Sequence, residues 1–366
     1  MKIPSNDLKR QFLMYKDEYE KKAVEVLNSG WYVLGAQVSG FEKEFAEYTD
    51  AKYCVGVASG LDALIIAVRA LGVGKGDEVL VPANTYIATV MGITICGATP
   101  VFVEPDEYYN IDVSQIEARI TERTKAVMSV NLYGQSCQMD KLREISKKRG
   151  IFLIEDCAQS HGSRYHDRPT TTYADVSCYS FYPSKNLGAF GEGGAIVTNM
   201  ENVDRQARMI RNYGSQTRYH NEVVGMNSRL DELQAGLLRV KLGHLDEITQ
   251  ERRRLAETYL SEIVNDRIIL PSVRKNATSV WHLFVVRTEN RDAFLNYMGQ
   301  KGVNIIVHYP IPPHLSQAYA YLGFRVGSMK IAERYAQTVA TLPLYNGMTA
   351  EEQNYVVDTI NNWRGQ

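Results

Sequence analysis

The sequence predicts an α/β protein with a large domain over residues 1–243, built on a mostly parallel sheet and carrying the N-terminal helices, and a smaller α+β domain over residues 244–366. Strand-like apolar runs alternate with helical patterns through the first two-thirds of the chain, the order that produces parallel strands with helices on both faces. Ile151-Phe-Leu-Ile154 is a continuous apolar run of the kind that fills a strand buried on both faces. A long helical pattern from about Glu232 to Ile263, with Gly243 inside it, then separates this rhythm from a different one. A chain of 366 residues is also long for a single core.

Gln11 to Asn28 sets Phe12, Tyr15, Tyr19, Ala23, Val26 and Leu27 at helical spacing and ends at Ser29-Gly30, a helix stop. Phe41 to Tyr48 predicts a second, short helix. Tyr53 to Ala58 reads as a strand that runs through Ser59-Gly60 into an apolar helix. Glu78–Val81, Pro100–Val103 and Lys125–Leu132 are further strands, with helices over Val113–Ile120 and Met139–Arg149. Gly72-Val-Gly-Lys-Gly76 imitates a dinucleotide fingerprint, but it follows a helix and precedes a strand, so it is a turn. An aromatic strand opens at Cys178, Ala195–Thr198 is its successor, and Glu201–Tyr213 is helical. The C-terminal part predicts strands over Trp281–Arg287 and Val303–His308. Its helices fall at Arg291–Lys301, Ser328–Ala340 and Thr349–Trp363.

Composition excludes several classes. The 41 basic and 42 acidic residues balance, and no basic tract suggests a nucleic acid or an anionic membrane as partner. The richest apolar segment, Met91 to Val103, is cut by Gly97 and Pro100, well short of a membrane span. No charged-then-apolar leader is evident at the N-terminus. Cys54, Cys96, Cys137, Cys157 and Cys178 lie mostly in apolar runs without metal-ligand spacing, which predicts reduced thiols, a cytoplasmic protein and no metal.

Three places carry chemistry. Lys185 follows the aromatic strand and precedes Gly188, Gly191, Gly193 and Gly194. A lysine between two buried strands loses part of its charge preference by desolvation, which makes the amine a nucleophile suited to Schiff-base chemistry. Glycines beside it let backbone approach a bulky ligand; a solvated hairpin is the plain alternative. Ser59-Gly60, between strand and helix, offers free N–H groups and a helix dipole to an anion, or simply starts the helix. Asp156 ends the buried strand, at the sheet edge where α/β ligands sit, and is equally placed to cap a helix. Tyr86 is placed either to stack on a flat ring or to pack in the core. Anion site, acid and amine together are what pyridoxal phosphate requires of a protein.

Gly35–Gly40, Ala58-Ser-Gly-Leu-Asp-Ala-Leu64, Pro82–Thr89, Asn131-Leu-Tyr-Gly-Gln135, Glu155–Gly162, the Lys185 block and Gly225–Glu232 resemble the DegT/DnrJ/EryC1/StrS sugar aminotransferases. The resemblance spans nearly the whole chain and implies the fold type I, aspartate aminotransferase-like architecture. It implies that Lys185 carries pyridoxal phosphate and shuttles the proton, and that Asp156 pairs with the ring nitrogen. Gln159 then faces the ring hydroxyl and Tyr86 stacks on the ring. Gly60, Leu61 and Ser180 hold the phosphate, and Asn227 reaches the phosphate of a neighbouring subunit, so the resemblance implies a homodimer with shared sites. Two positions depart from the family pattern: Asn131 stands where histidine is common, and Cys157 where alanine is usual.

Lys185 sets the chain apart from the dehydratase branch, which carries histidine there. Tyr182-Pro183 and Asn186-Leu187 match the pattern of enzymes that aminate C3 of a dTDP-3-keto-6-deoxyhexose. Amination at C4 of a nucleotide-linked 4-keto-6-deoxyhexose is the alternative. The resemblance implies ping-pong transfer from L-glutamate, with an O-antigen, another surface glycan or a glycosylated natural product as destination. Arg218, Tyr219, His308 and Tyr309 are the candidates for holding the nucleotide sugar by charge and hydrogen bonds, with Tyr182 packing on its methyl face. A cysteine lyase using Cys137 and a cofactor-sensing regulator are the rival readings. The second lacks any spare basic segment for DNA.

Overall fold

A computed structural model describes residues 1–365. Seven strands form the central sheet, in the spatial order Tyr53–Val57, Gly194–Thr198, Val176–Ser180, Phe152–Asp156, Thr124–Val130, Glu78–Pro82 and Thr99–Val103. Gly194–Thr198 runs antiparallel to both its neighbours, and the other pairings are parallel. The carboxyl ends of six strands therefore share one edge, where Asp156 and Ser180 are each the last residue of a strand. The helix Gly60–Ala70 packs on one face with Ala63 to Val68 buried without interruption, so its apolar character is that of a core helix.

A second core joins Leu255, Tyr259, Phe284, Phe294, Tyr345 and Trp363, and it takes in Ile3 from the other end of the chain. Its sheet pairs Phe284–Arg287 with Val339–Leu342, antiparallel. The Val303–His308 segment contributes single bridges rather than a continuous strand, Ile306 to Thr341 and Val303 to Ile3. The expected helix over Ser328–Ala340 stops at Thr338, because the buried run Val339–Leu342 finds a strand partner. Trp281–Arg287 shortens to Phe284–Arg287.

Other boundaries moved for tertiary reasons. The first helical pattern starts earlier than expected and breaks at Tyr15, giving Leu8–Met14 and Lys16–Ser29. The next helix starts at Ala36 rather than Phe41, because the Glu232 carboxylate accepts from the N–H groups of Gly35, Gln37 and Val38, each at 2.8 Å. Val113–Ile120 forms two short 3-10 turns, Val113–Gln115 and Glu117–Arg119, a segment too short and too branched to sustain a helix. The long pattern after Glu232 divides at His244 into Glu232–Gly243 and Leu245–Glu262, next to the glycine that marked it.

Candidate active site

A cavity of about 590 Å³ opens at the carboxyl edge of the sheet, between it and the second core. Lys185, partly exposed, lines it together with Asp156, Ser180, Gly60, Leu61, Tyr86, Gln159, Tyr182, His308 and Tyr309. Ten of the expected site residues thus meet in one place although they span residues 60 to 309.

Burial lowers the Lys185 ammonium to about 8, against the opposing pull of the Asp156 carboxylate. Burial also raises Asp156, while hydrogen bonds from Ala158 N at 3.0 Å and Thr89 Oγ1 at 2.8 Å favour its ionised form. Thr85 Oγ1 lies 2.7 Å from Thr89 Oγ1 and continues this chain. A carboxylate so held, without an ion-paired cation at hydrogen-bond distance among the described residues, suits a protonated ring nitrogen. Gln159 is fixed from two sides: its Oε1 accepts from Tyr133 N at 2.7 Å, and its Nε2 donates to Tyr309 Oη at 3.0 Å. Tyr86, half exposed, precedes the helix Ile87–Thr94, with its ring centroid 5.1 Å from that of Tyr309.

The anion end is built by backbone. Ser59 caps the helix Gly60–Ala70 by accepting from Asp62 N at 3.1 Å, which leaves Gly60 and Leu61 N–H without acceptors among the described residues. A Cβ on Gly60 would lie 2.4 Å from Ser180 Cβ, and one on Gly194 would lie 2.3 Å from Ser59 O, so both glycines keep the cradle open. Free N–H groups, a helix dipole and Ser180 fit a phosphate, and the acid and amine fit a pyridine aldehyde.

Other residues singled out in the sequence lie outside the cavity of their own chain. Asn227 is exposed, bridged to Asn212, and does not line the cavity. Arg218 and Tyr219 sit at the tip of the hairpin Ser215–Thr217/His220–Asn221, the guanidinium 4.9 Å from the Tyr219 ring centroid, also outside the cavity. Cys137 is fully buried outside it, with Sγ on Val130 O and burial raising its thiol, so it has no access to a substrate and the lyase reading fails. Asn131 is not a wall residue. It lies fully buried, donates to Glu155 Oε1 at 2.6 Å and accepts from Cys137 N at 2.9 Å.

Sequence reasoning missed His282 and Arg252. His282 lines the cavity, and burial with nearby Lys185 pushes its imidazolium well below the usual range. His308 is lowered to about 4 by burial and then by Lys185, with Nδ1 2.8 Å from Thr341 Oγ1. Arg252 is buried and spends its guanidinium on Trp281 O, His282 O, Leu344 O and Asn346 Oδ1, at 2.7 to 3.2 Å. Neither residue sits in a local motif, so only the fold brings them here.

The fold and the amine–acid–anion arrangement define an aminotransferase of the pyridoxal phosphate type. The sequence profile of the DegT/DnrJ/EryC1/StrS aminotransferase family matches residues 14–361, and the chain belongs to that family. It is similar to the dTDP-3-amino-3,6-dideoxy-alpha-D-galactopyranose transaminase of Aneurinibacillus thermoaerophilus, 48% identical over 362 residues, covering 99% of each chain. The crystal structure of Streptomyces venezuelae DesV in complex with a ketimine intermediate superposes with a TM-score of 0.97 at 44% identity, over 99% of this chain and 98% of that one. The PLP form of the putative sugar aminotransferase Spr1654 from Streptococcus pneumoniae gives 0.88 at 28% identity, over 94% and 95%. The chain is thus a sugar aminotransferase, and pyridoxal phosphate is the cofactor of its family.

Proposed function

We propose that this enzyme transfers the amino group of L-glutamate to C3 of a dTDP-3-keto-6-deoxyhexose, giving a dTDP-3-amino-3,6-dideoxyhexose. The observation that carries the reading is the single cavity in which Lys185, Asp156 and the open N-terminus of Gly60–Ala70 meet, in a chain 48% identical to a C3 transaminase. Pyridoxal phosphate, held there, would supply the electron sink that eases removal of the donor's α-proton. Asp156 would hold the ring nitrogen, Gln159 the ring hydroxyl and Tyr86 the ring face. Gly60 N, Leu61 N and Ser180 Oγ would hold the phosphate. Lys185 would carry the cofactor and move the proton, and its lowering to about 8 by burial leaves a usable neutral fraction at working pH. Tyr182, His308 and Tyr309 contact the sugar, and the two residues His308 and Tyr309 also keep water from the reacting end.

The substrate and cofactor are anions, yet the cationic side chains lining the cavity are Lys185 and Arg252, and Arg252 is consumed by carbonyl oxygens. Exposed Asn227, Arg218 and Tyr219 on a second copy supply the missing contacts, so the working unit is a homodimer with shared sites. Residues 1–243 and 244–366 act as the two domains, with Ile3 threaded into the second. The enzyme works in the cytoplasm, where nucleotide sugars are made, and feeds an O-antigen, another surface glycan or a glycosylated natural product.

The test supplies pyridoxal phosphate, 15N-glutamate and either dTDP-3-keto- or dTDP-4-keto-6-deoxyhexose, and reads the product by mass and by the NMR position of the 15N-bearing carbon. Label at C3 only supports the reading. Label at C4 keeps the aminotransferase and replaces the regiochemistry, and no labelled sugar from either rejects both.

A further inference from the structure

The wall of the cavity contains two residues from the extreme N-terminus, Ser5 and Asn6. Their placement is built. Ile3 is buried in the second core, its N–H donates to Gly302 O at 2.8 Å, and its carbonyl accepts from Asn304 N at 2.9 Å. This parallel bridge to Val303 carries Ser5 and Asn6 alongside Ile306, which lines the same cavity. On the far side, Asp7 caps the helix Leu8–Met14, and Arg10 grips Glu352 at 2.6 and 3.1 Å and Gly347 O at 2.8 Å. The short segment between these anchors has little freedom to move.

The orientation of the Asn6 amide follows from its partners. Asp7 N, which can only donate, lies 2.9 Å from Asn6 Oδ1, and Gln11 Nε2 donates to the same oxygen at 2.8 Å. Oxygen is therefore the atom held by the chain itself, and Asn6 Nδ2 has no acceptor among the described residues. The same cavity is also lined by Ile306, Leu342 and Leu344. In a mostly apolar wall, a few placed polar groups decide orientation and selectivity.

We propose that Asn6 is a specificity-determining residue for the sugar substrate, its Nδ2 donating to an acceptor oxygen of the hexosyl ring, with Ser5 Oγ beside it. A neutral amide in a cavity that these aliphatic side chains also line matches a neutral sugar oxygen; a donor carboxylate calls for a cation. The assignment rests on the nucleotide-sugar reading above.

The decisive variant is Asn6→Asp, which keeps an oxygen for Asp7 N and Gln11 and replaces the free donor by an acceptor; Asn6→Ala accompanies it. The two half-reactions are followed separately on the cofactor-loaded enzyme: 2-oxoglutarate release from glutamate, and amination of dTDP-3-keto-6-deoxyhexose. Calorimetric binding of the amino-sugar product and of dTDP alone is measured alongside. The expected result is an unchanged glutamate half-reaction, unchanged dTDP affinity, and a KM for the sugar raised about tenfold in Asn6→Ala and further in Asn6→Asp. Equal losses in both half-reactions would mark a structural role and overturn the assignment, as would a sugar KM unchanged in both variants. A wild-type enzyme that neither binds nor aminates the sugar would reject the nucleotide-sugar reading itself, and the Asn6 assignment with it.

Discussion

Asn186 holds His282 in one tautomer. Asn186 Nδ2 donates to Val280 O at 2.8 Å, so its Oδ1 is the atom 3.2 Å from His282 Nδ1, and that ring nitrogen must carry the proton. His282 Nε2 is left as an acceptor in a histidine that lines the cavity and stays neutral. Replacing His282 by Phe keeps volume and removes the acceptor. It is expected to lower kcat/KM about tenfold, the effect of one hydrogen bond. Asn186→Ala, which frees the tautomer, should lower it by less. Steady-state kinetics beside a cofactor titration decides the point, since unchanged kcat/KM in both variants removes His282 from the reaction.

Lys185 makes stability of the cofactor-free protein depend on pH in a definite sense. Its folded pKa of about 8 lies below the unfolded value near 10.5, so between those two the unfolded chain binds more protons. The destabilisation it causes is complete below pH 8 and disappears as pH rises through 10.5. Lys185→Met should therefore be more stable than wild type at pH 7, by at most roughly 3 kcal/mol and less where cavity water screens the charge. Denaturant melts at pH 7 and pH 10 should show that difference shrinking.

Gly60→Ala should abolish tight cofactor binding while leaving the fold intact. The new methyl collides with Ser180 at the proposed phosphate cradle, and the displaced helix start loses its aimed N–H groups. A loss in pyridoxal phosphate affinity of at least ~100-fold is expected, from two or more charge-assisted hydrogen bonds. Fluorescence titration of the cofactor measures it, and wild-type affinity would disprove the phosphate assignment.

Cys137→Ser separates the aminotransferase from thiol chemistry. The thiol is buried, raised by its surroundings and outside the cavity. Transamination per folded molecule should stay within about twofold, with stability lowered by roughly 1–3 kcal/mol for the buried hydroxyl. A larger loss of turnover with an unchanged melting curve would contradict this.

Arg252→Met should unfold or loosen the packing around the second core. The side chain ties Trp281, His282 and Leu344 carbonyls together inside the protein, and its loss leaves those acceptors unsatisfied. A cost of about 3–5 kcal/mol is expected, read by thermal melting. A melting temperature within a degree of wild type would remove it from the stabilising contacts.

Much of the site was legible because its parts lie in local patterns. Ser59-Gly60, Asp156 and Lys185 each sit where a strand ends and a turn or helix begins, and strand, turn and helix are written in short-range periodicity. The misplaced boundaries have distant causes: Glu232 caps a helix almost two hundred residues earlier, and Thr341 draws Ile306 into a bridge. His282, Arg252 and Asn6 went unread because nothing near them in sequence marks them. The partners of His282 and Arg252 lie 29 to 96 residues away, whereas Asn6 bonds locally, to Asp7 and Gln11, and only the fold brings it to the cavity.

By itself the sequence determined the parallel α/β class, the amine, the acid and the anion-ready helix start, and through its motifs the family. All of these depend on local spacing and on residue chemistry. Only the tertiary structure decided that Asn227, Arg218 and Tyr219 lie outside the cavity of their own chain, that Asn131 is buried outside its lining, and that Ser5 and Asn6 from the N-terminus line it. Those outcomes depend on which surfaces bury together, a competition among contacts distant in sequence that no local pattern encodes.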